Sequence, residues 1–331
     1  MLENDSIKNS ITIIKWAENM LLQQGYTVST QPQQILNTPW SNILRFSTNQ
    51  GECYLKQTPF KLSQEPFIIR VLHDDCDGNV PIILDANKEL SCFLMKDAGN
   101  SLHHVLIKNF RPALLAQAIK KYTRLQFSSI DHINTFLALG MPDWRLDKLP
   151  YLYHHLLNNE TLLKEEGLSV TELKTLQALH PALASLCEQL TSHDIPETID
   201  HSDFHANNIL IEPNTHEITL IDWGETVLSH PFFSLINCLD HAAYHYGLSD
   251  ADPAYRALQE AGLAQWLNIT SEDNLLACFS LTKKLWPLYR ALAFYRCMAA
   301  CDPEKFKAYS VKRPHRLAGY LRDFVTTMRI G

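Results

Sequence analysis

Apolar residues recur at helical spacing at Ile7, Ile11, Ile14 and Leu21, with Gly25 behind them. That pattern predicts an amphipathic helix that opens the chain and stops at the glycine. Short strand-like runs follow at residues 26–29, 42–47 and 52–57. The last two are joined by the turn formers Thr48, Asn49, Gln50 and Gly51, so a small antiparallel sheet is expected. Residues 66–72 predict a short helix with Pro66 tolerated in its first turn, and apolar runs at 80–84 and 90–95 bring the sheet to about five strands. The strand pattern ends at Lys96-Asp97-Ala98-Gly99-Asn100. Beyond it the spacing is mostly helical, as at Leu114, Ala118, Ile119, Tyr122 and Leu125, and residues 285–298 read as a helix packed into a core. The exception is a strand pair at 208–211 and 218–221 around the turn formers Glu212-Pro213-Asn214-Thr215-His216. The expected organisation is α+β and bilobal: a small antiparallel-sheet lobe over residues 1–97 and a mostly helical lobe over 98–331.

Composition supports two lobes with a cleft between them. At 331 residues, 46% hydrophobic and 20% charged, the chain is globular and long for a single core. Its 29 basic and 36 acidic residues are evenly spread, with 8 basic against 11 acidic in residues 1–98. A broad basic face for nucleic acid is therefore excluded, whereas a nucleotide ligand needs only a few placed donors. The eight cysteines form no CxxC pair and follow no secretory leader, which points to reduced thiols in a cytoplasmic protein. Cys297 and Cys301, four apart, could share a helix face as a metal or redox pair or as two buried small apolar groups. No apolar run approaches the ~20 residues of a membrane span, so a membrane partner is not expected. The sequence carries no signal for an oligomeric state.

The chemistry concentrates in His201-Ser202-Asp203-Phe204-His205-Ala206-Asn207-Asn208, followed after the hairpin by Ile221-Asp222-Trp223-Gly224-Glu225. If Ile209 pairs with Ile221 around a turn centred near Thr215, Asn208 and Asp222 leave the open end of the hairpin side by side, roughly 5 Å apart. A carboxylate and an amide oxygen, completed by waters and phosphates, make a donor set that suits Mg2+. Asp203, on the loop entering the first strand, can reach the same space and accept a proton from an attacking hydroxyl.

The pattern H-x-D-x-x-x-x-N followed by I-D-W resembles the signature of the aminoglycoside phosphotransferase and choline kinase family, small-molecule kinases with a protein-kinase-like fold. The resemblance implies that Asp203 is the catalytic-loop aspartate, His201 the histidine that buttresses the loop, and Asn208 and Asp222 the metal ligands; His205 takes a structural or substrate-side role. It further implies ATP and Mg2+ as cofactors and a small molecule with a hydroxyl as acceptor. Lys56, on the face of its strand that also carries Tyr54, reads alone as a solvated lysine; in a kinase-like lobe its position resembles that of the lysine that holds the α- and β-phosphates. Glu65, at the start of the short helix, is either the ion-pair partner of Lys56 or a dipole-favoured first-turn carboxylate. The segment containing Met95 and Asp97 is similar to the family's hinge, which offers backbone groups to adenine. The G-x-G-x-x-G loop of protein kinases is absent, leaving Ser41 and Asn42 as candidates for covering phosphate. Glu225, Asp240, Asp143 and Trp144 would suit a cationic acceptor, and are equally explained as surface carboxylates and a core tryptophan. Two other functions compete: a catalytically inactive nucleotide-binding module of the same fold, and a zinc hydrolase built from His201, Asp203 and His205 alternating onto one side of an extended segment.

Overall fold

The computed structural model describes residues 2–330, with side chains from 11 to 329. Helix α1 (Leu2–Gln23) leads into a five-stranded antiparallel sheet of β1 (Gln33–Asn37), β2 (Asn42–Thr48), β3 (Gly51–Gln57), β4 (Ile83–Asn87) and β5 (Cys92–Lys96), in the order β1-β2-β3-β5-β4. Helix α2 (Glu65–Asp74) lies between β3 and β4 in the chain. One sheet face, with Phe46, Cys53, Leu55, Cys92 and Leu94, packs against Ile13, Ala17 and Leu21 of α1. On the other side Phe93 and the buried residues Ile68, Ile69 and Leu72 of α2 join the large core of the helical lobe.

The apolar stripe of α1 differs from the expected one. Ile13, Ala17 and Leu21 form the buried face and Ile11 is exposed, while the side chain of Ile7 lies outside the described residues. Residues 26–29 are not a strand: Tyr26 plugs the core beside α1 and Val28 makes a single bridge to Thr48. The fifth strand is instead β1, whose residues are all exposed, so no alternation marks it; backbone pairing to β2 holds it, with Gln34 donating to Asn42 and Arg45 to Gln33. The run at 80–84 also shifts. Val80 is buried in the helical core, and β4 begins after Pro81, which has no N–H to give a ladder.

Beyond β5 the chain forms β6 (Asn100–Ser101), α3 (Leu102–Leu106) and α4 (Pro112–Ser129), and later four short strands, β7 (Thr198–Asp200), β8 (Ile209–Ile211), β9 (Ile218–Leu220) and β10 (Val227–Ser229). The first residues after the connection at 97–99 pair with the hairpin in a β6-β8-β9 sheet. Gly99 makes that approach possible: φ is +107°, and a Cβ there would lie 2.4 Å from the Ile211 carbonyl oxygen. The helices Phe232–Tyr246 and Glu272–Ala300 complete the core. On the outer side the β1–β2 loop packs Trp40 edge-on against Tyr309 at 4.8 Å, and Lys61 donates to the Ala299 carbonyl at 2.8 Å, tying the sheet lobe to the C-terminal helices. No helix of the described residues is long and apolar enough to cross a membrane.

All eight cysteines are free and buried, and burial pushes the thiols of Cys92, Cys187, Cys238 and Cys278 up to about 12. A chromogenic disulfide reagent is therefore expected to titrate fewer than one thiol per folded chain within minutes at pH 8, and eight after denaturation. Fast reaction of two or more thiols in the folded protein would contradict this packing.

Candidate active site

The site is a closed circuit of backbone. The chain enters it on β7 and leaves on β10, and these strands pair with each other, Asp200 opposite Val227 and Thr198 opposite Ser229. The buried Asp200 carboxylate pins the circuit. It accepts from Ser202 N (2.9 Å) and Tyr289 Oη (2.7 Å) on one oxygen and from Ser234 N (2.8 Å) and Oγ (2.7 Å) on the other. Burial raises its pKa to about 6 in spite of these donors, and both of its oxygens are used as acceptors. This anchor was not foreseen from the sequence, although Asp200 directly precedes the motif.

From there Ser202 takes a left-handed conformation (φ 63°) that turns the loop, and Phe204 stacks at 4.2 Å on Tyr122 of α4 as its apolar foot. His201 is fully buried. Its Nε2–H donates to the Ile221 carbonyl at 2.9 Å, linking the loop to the segment that carries Asp222, and burial keeps its ring neutral. That bond turns His201 away from the role the zinc-hydrolase alternative required. His201, Asp203 and His205 do not converge as a metal-ligand group in the described residues.

The hairpin register is one residue from the expected one. Ile209 faces Leu220 and Ile211 faces Ile218, while the Ile221 N–H donates to the Asn208 carbonyl at 3.0 Å. Asp222, left-handed at φ 69°, turns out of the hairpin and heads the Trp223–Glu225 turn. The expected pairing of Ile209 with Ile221 failed because the turn is one residue tighter in sum, a difference that periodicity does not encode. Asn208 and Asp222 still leave the same end of the ribbon.

Asp203 and Asn208 are bound together. The Asn208 amide donates to the Asp203 carbonyl oxygen (2.8 Å) and to its carboxylate Oδ2 (2.9 Å), and His205 Nε2 lies 3.1 Å from Oδ1. Burial would raise the Asp203 pKa, but the imidazole of His205 and the Asn208 amide outweigh it and hold the carboxyl below the usual carboxylate range. With its nitrogen committed to Asp203, Asn208 keeps its amide oxygen without a hydrogen bond among the described residues.

Lys56 connects the two lobes. Its Nζ is 2.8 Å from Glu65 Oε1 and 2.5 Å from Asp222 Oδ1, and both Lys56 and Glu65 are buried. Burial opposes charge on Lys56, yet Asp222 and Glu65 together raise its pKa above the ordinary lysine value. Glu65 is the first residue of α2, so both readings of it hold: it sits at the helix N-terminus and it pairs with Lys56. It also accepts from the Trp223 backbone N–H at 3.1 Å, beside Gly224, where a Cβ would stand 3.1 Å from its other oxygen. Glu225 is partly buried near Asp203 and Asp222; burial first, then these charges, push it up to about 8, while Arg296 donates to its backbone carbonyl at 2.7 Å.

The remaining candidates divide. Ser41 lies in the β1–β2 loop, its N–H bonded to Thr38 Oγ1 (3.0 Å) and its buried hydroxyl unpaired, and Asn42 accepts from Gln34 at 2.8 Å. Met95 is in the β5 ladder opposite Tyr54; Asp97 gives its N–H to the Glu52 carbonyl (3.2 Å) and accepts from Gly99 N (3.1 Å). Asp143 is held by Arg145 through two bonds of 2.8 and 2.7 Å, Trp144 is buried in the core, and Asp240 accepts from Trp286 Nε1 at 2.6 Å.

A family model described as "Phosphotransferase enzyme family" matches residues 43–269, which spans β2 through the hairpin and beyond. A search of curated proteins gives no match. Among solved structures, an ethanolamine kinase of Plasmodium vivax superposes with a TM-score of 0.59 at 12% identity, covering 90% of this chain and 82% of that one. The GDP and kanamycin complex of APH(2")-IIia gives 0.55 at 11% identity, with 95% and 97% covered. The ADP-bound aminoglycoside phosphotransferase APH(2'')-Ib gives 0.50 at 13%, with 94% and 96% covered. At these identities the likeness is one of fold.

Proposed function

Since the chain belongs to the phosphotransferase enzyme family and is a small-molecule kinase of bilobal α+β fold, we propose that it moves the γ-phosphoryl group of ATP to a hydroxyl of a small molecule. The observation that carries this reading is the meeting of Lys56, Glu65 and Asp222 across the lobes, next to the bonded pair Asp203 and Asn208.

In this reading residues up to 97 cover the nucleotide and those from 98 hold the catalytic loop. Lys56, kept charged by its two carboxylates, orients the α- and β-phosphates, and the hinge around Met95 and Asp97 receives the base. Ser41, with its unpaired hydroxyl, closes the β1–β2 loop and Asn42 opens β2 beside it, at the turn that would cover the phosphates. The Asn208 amide oxygen and the Asp222 carboxylate form an all-oxygen donor pair that fits Mg2+, which, when bound, neutralises charge on the transferring phosphates. Asp203 orients the acceptor hydroxyl and takes its proton. Its carboxylate, held below the usual carboxylate range beside His205 and Asn208, is the charge that accepts the hydroxyl hydrogen bond and then the proton. His201 and Asp200 act through the loop they hold.

The solved relatives comprise an ethanolamine kinase, a kanamycin complex with GDP and an ADP complex, so both purine nucleotides and several amino-alcohol and amino-sugar acceptors belong in the test. Nucleotide consumption is measured with ATP and with GTP against ethanolamine, choline, homoserine, simple sugars and aminoglycosides. Mg2+- and acceptor-dependent ADP formation supports the reading; no turnover with any acceptor counts against it. For the Asp222→Ala variant, nucleotide affinity is expected to lose its Mg2+ dependence and to fall about tenfold or more in excess Mg2+. Calorimetric titration with and without Mg2+ checks this, and an unchanged Mg2+ dependence would remove Asp222 from the metal site.

A further inference from the structure

A second cluster of side chains lies beside the catalytic loop. His241 and His245, four residues apart on the helix Phe232–Tyr246, place their rings 4.1 Å apart, and His103 of α3 sits 4.8 Å from His245 and 5.6 Å from His241. One ring nitrogen from each residue can be chosen so that all three lie within 4.8 Å of one another.

We propose that His103, His241 and His245 form a three-imidazole binding site for Zn2+, separate from the oxygen donors of Asn208 and Asp222. Zinc–nitrogen bonds of ~2.0–2.1 Å put tetrahedral ligand atoms about 3.3 Å apart, so closing the site asks each nitrogen to move by less than ~1 Å. One of the rings already has an outer partner. The Tyr246 hydroxyl is 3.1 Å from His103 Nδ1 and can accept its N–H, while His103 Nε2 has no hydrogen bond among the described residues, which is how a ligating imidazole is oriented by an outer group.

The donor set selects the ion. Three neutral nitrogens suit Zn2+, whereas Mg2+ and Ca2+ demand oxygen. Burial and the neighbouring imidazoles hold His103 and His241 below the ordinary histidine pKa, so both carry free lone pairs at neutral pH. No thiol competes, because all eight cysteines are buried. His245 is exposed, so the site opens to solvent and leaves a fourth position for water. It also adjoins the chemistry: His205 stacks on His241 at 4.4 Å and contacts Asp203 on its far side.

The test is calorimetric titration of the metal-stripped full chain with ZnCl2 in excess MgCl2, which fills oxygen sites. One Zn2+ per chain with a Kd of about 10 μM or tighter is expected. His245→Gln and His103→Gln are each expected to weaken binding at least tenfold, and His245→Gln, at an exposed position, does so without lowering the melting temperature of the metal-free protein. Co2+ in place of Zn2+ should give the strong visible absorption of a low-coordinate nitrogen site, and His245→Gln should lose it. Failure to bind Zn2+, or binding that His245→Gln retains in full, overturns the proposal. Because no kinetic readout is used, its failure leaves the phosphotransfer reading untouched.

Discussion

Asp203→Asn is expected to lower kcat for phosphotransfer at least 100-fold while leaving nucleotide affinity within about threefold of wild type. The amide keeps the size of the side chain and an oxygen for the Asn208 donor, so the loop geometry survives and only the charge that receives the hydroxyl proton is lost. Asp203 makes no contact with Lys56, whose partners are Glu65 and Asp222, so the group proposed to hold the nucleotide is unaffected. Steady-state kinetics with the best acceptor, together with ADP titration, separate the two quantities. A kcat within tenfold of wild type would take Asp203 out of its assigned role. An inactive nucleotide-binding module would have no wild-type turnover to lose.

Lys56→Met should destabilise the protein by about 3–5 kcal/mol, because it leaves the Glu65 carboxylate, 1% exposed, with the Trp223 N–H as its remaining donor. For a chain of this size that corresponds to a fall in melting temperature on the order of 10 °C. Asp222 can rehydrate, since its side chain is 42% exposed, so the loss lies with Glu65. The double variant Lys56→Met/Glu65→Gln should recover most of it, for no charge is then stranded.

The pH dependence has a definite sign. Burial raises the pKa of Glu65, and a raised carboxyl favours the folded state when protonated. That favourable contribution is complete below the ordinary carboxyl pKa and is lost as pH rises through the raised value. The deficit of Lys56→Met should therefore shrink from pH 8 to pH 5. A single variant melting within about 2 °C of wild type at pH 8 would show that the pair carries no such load.

The strongest sequence signals were local. The spacing from His201 to Asn208 and the Ile221-Asp222-Trp223 that follows make this loop and hairpin legible, because both depend on neighbours within about twenty residues. Strands β2, β3 and β5 were legible as short apolar runs: β2 and β3 flank the turn formers at 48–51, and β5 carries three consecutive buried residues. The edge strand β1 was not, since an exposed strand held by hydrogen bonds to one neighbour leaves no apolar pattern. Ile11 was assigned to the buried face of α1 because its spacing fits, but the sheet meets that helix at Ile13, Ala17 and Leu21.

By itself, then, the sequence determined the two kinds of lobe, the loop that carries Asp203 and Asn208, and the turn that carries Asp222. Tertiary structure decided which of these groups meet. Lys56 reaches a carboxylate 166 positions away, Asp200 gathers donors from three segments, and His103 joins two histidines about 140 residues further along. Periodicity records which face of an element is buried; it does not record what that face is buried against. Contacts between distant elements follow from the packing of the whole chain, and no local stretch contains them.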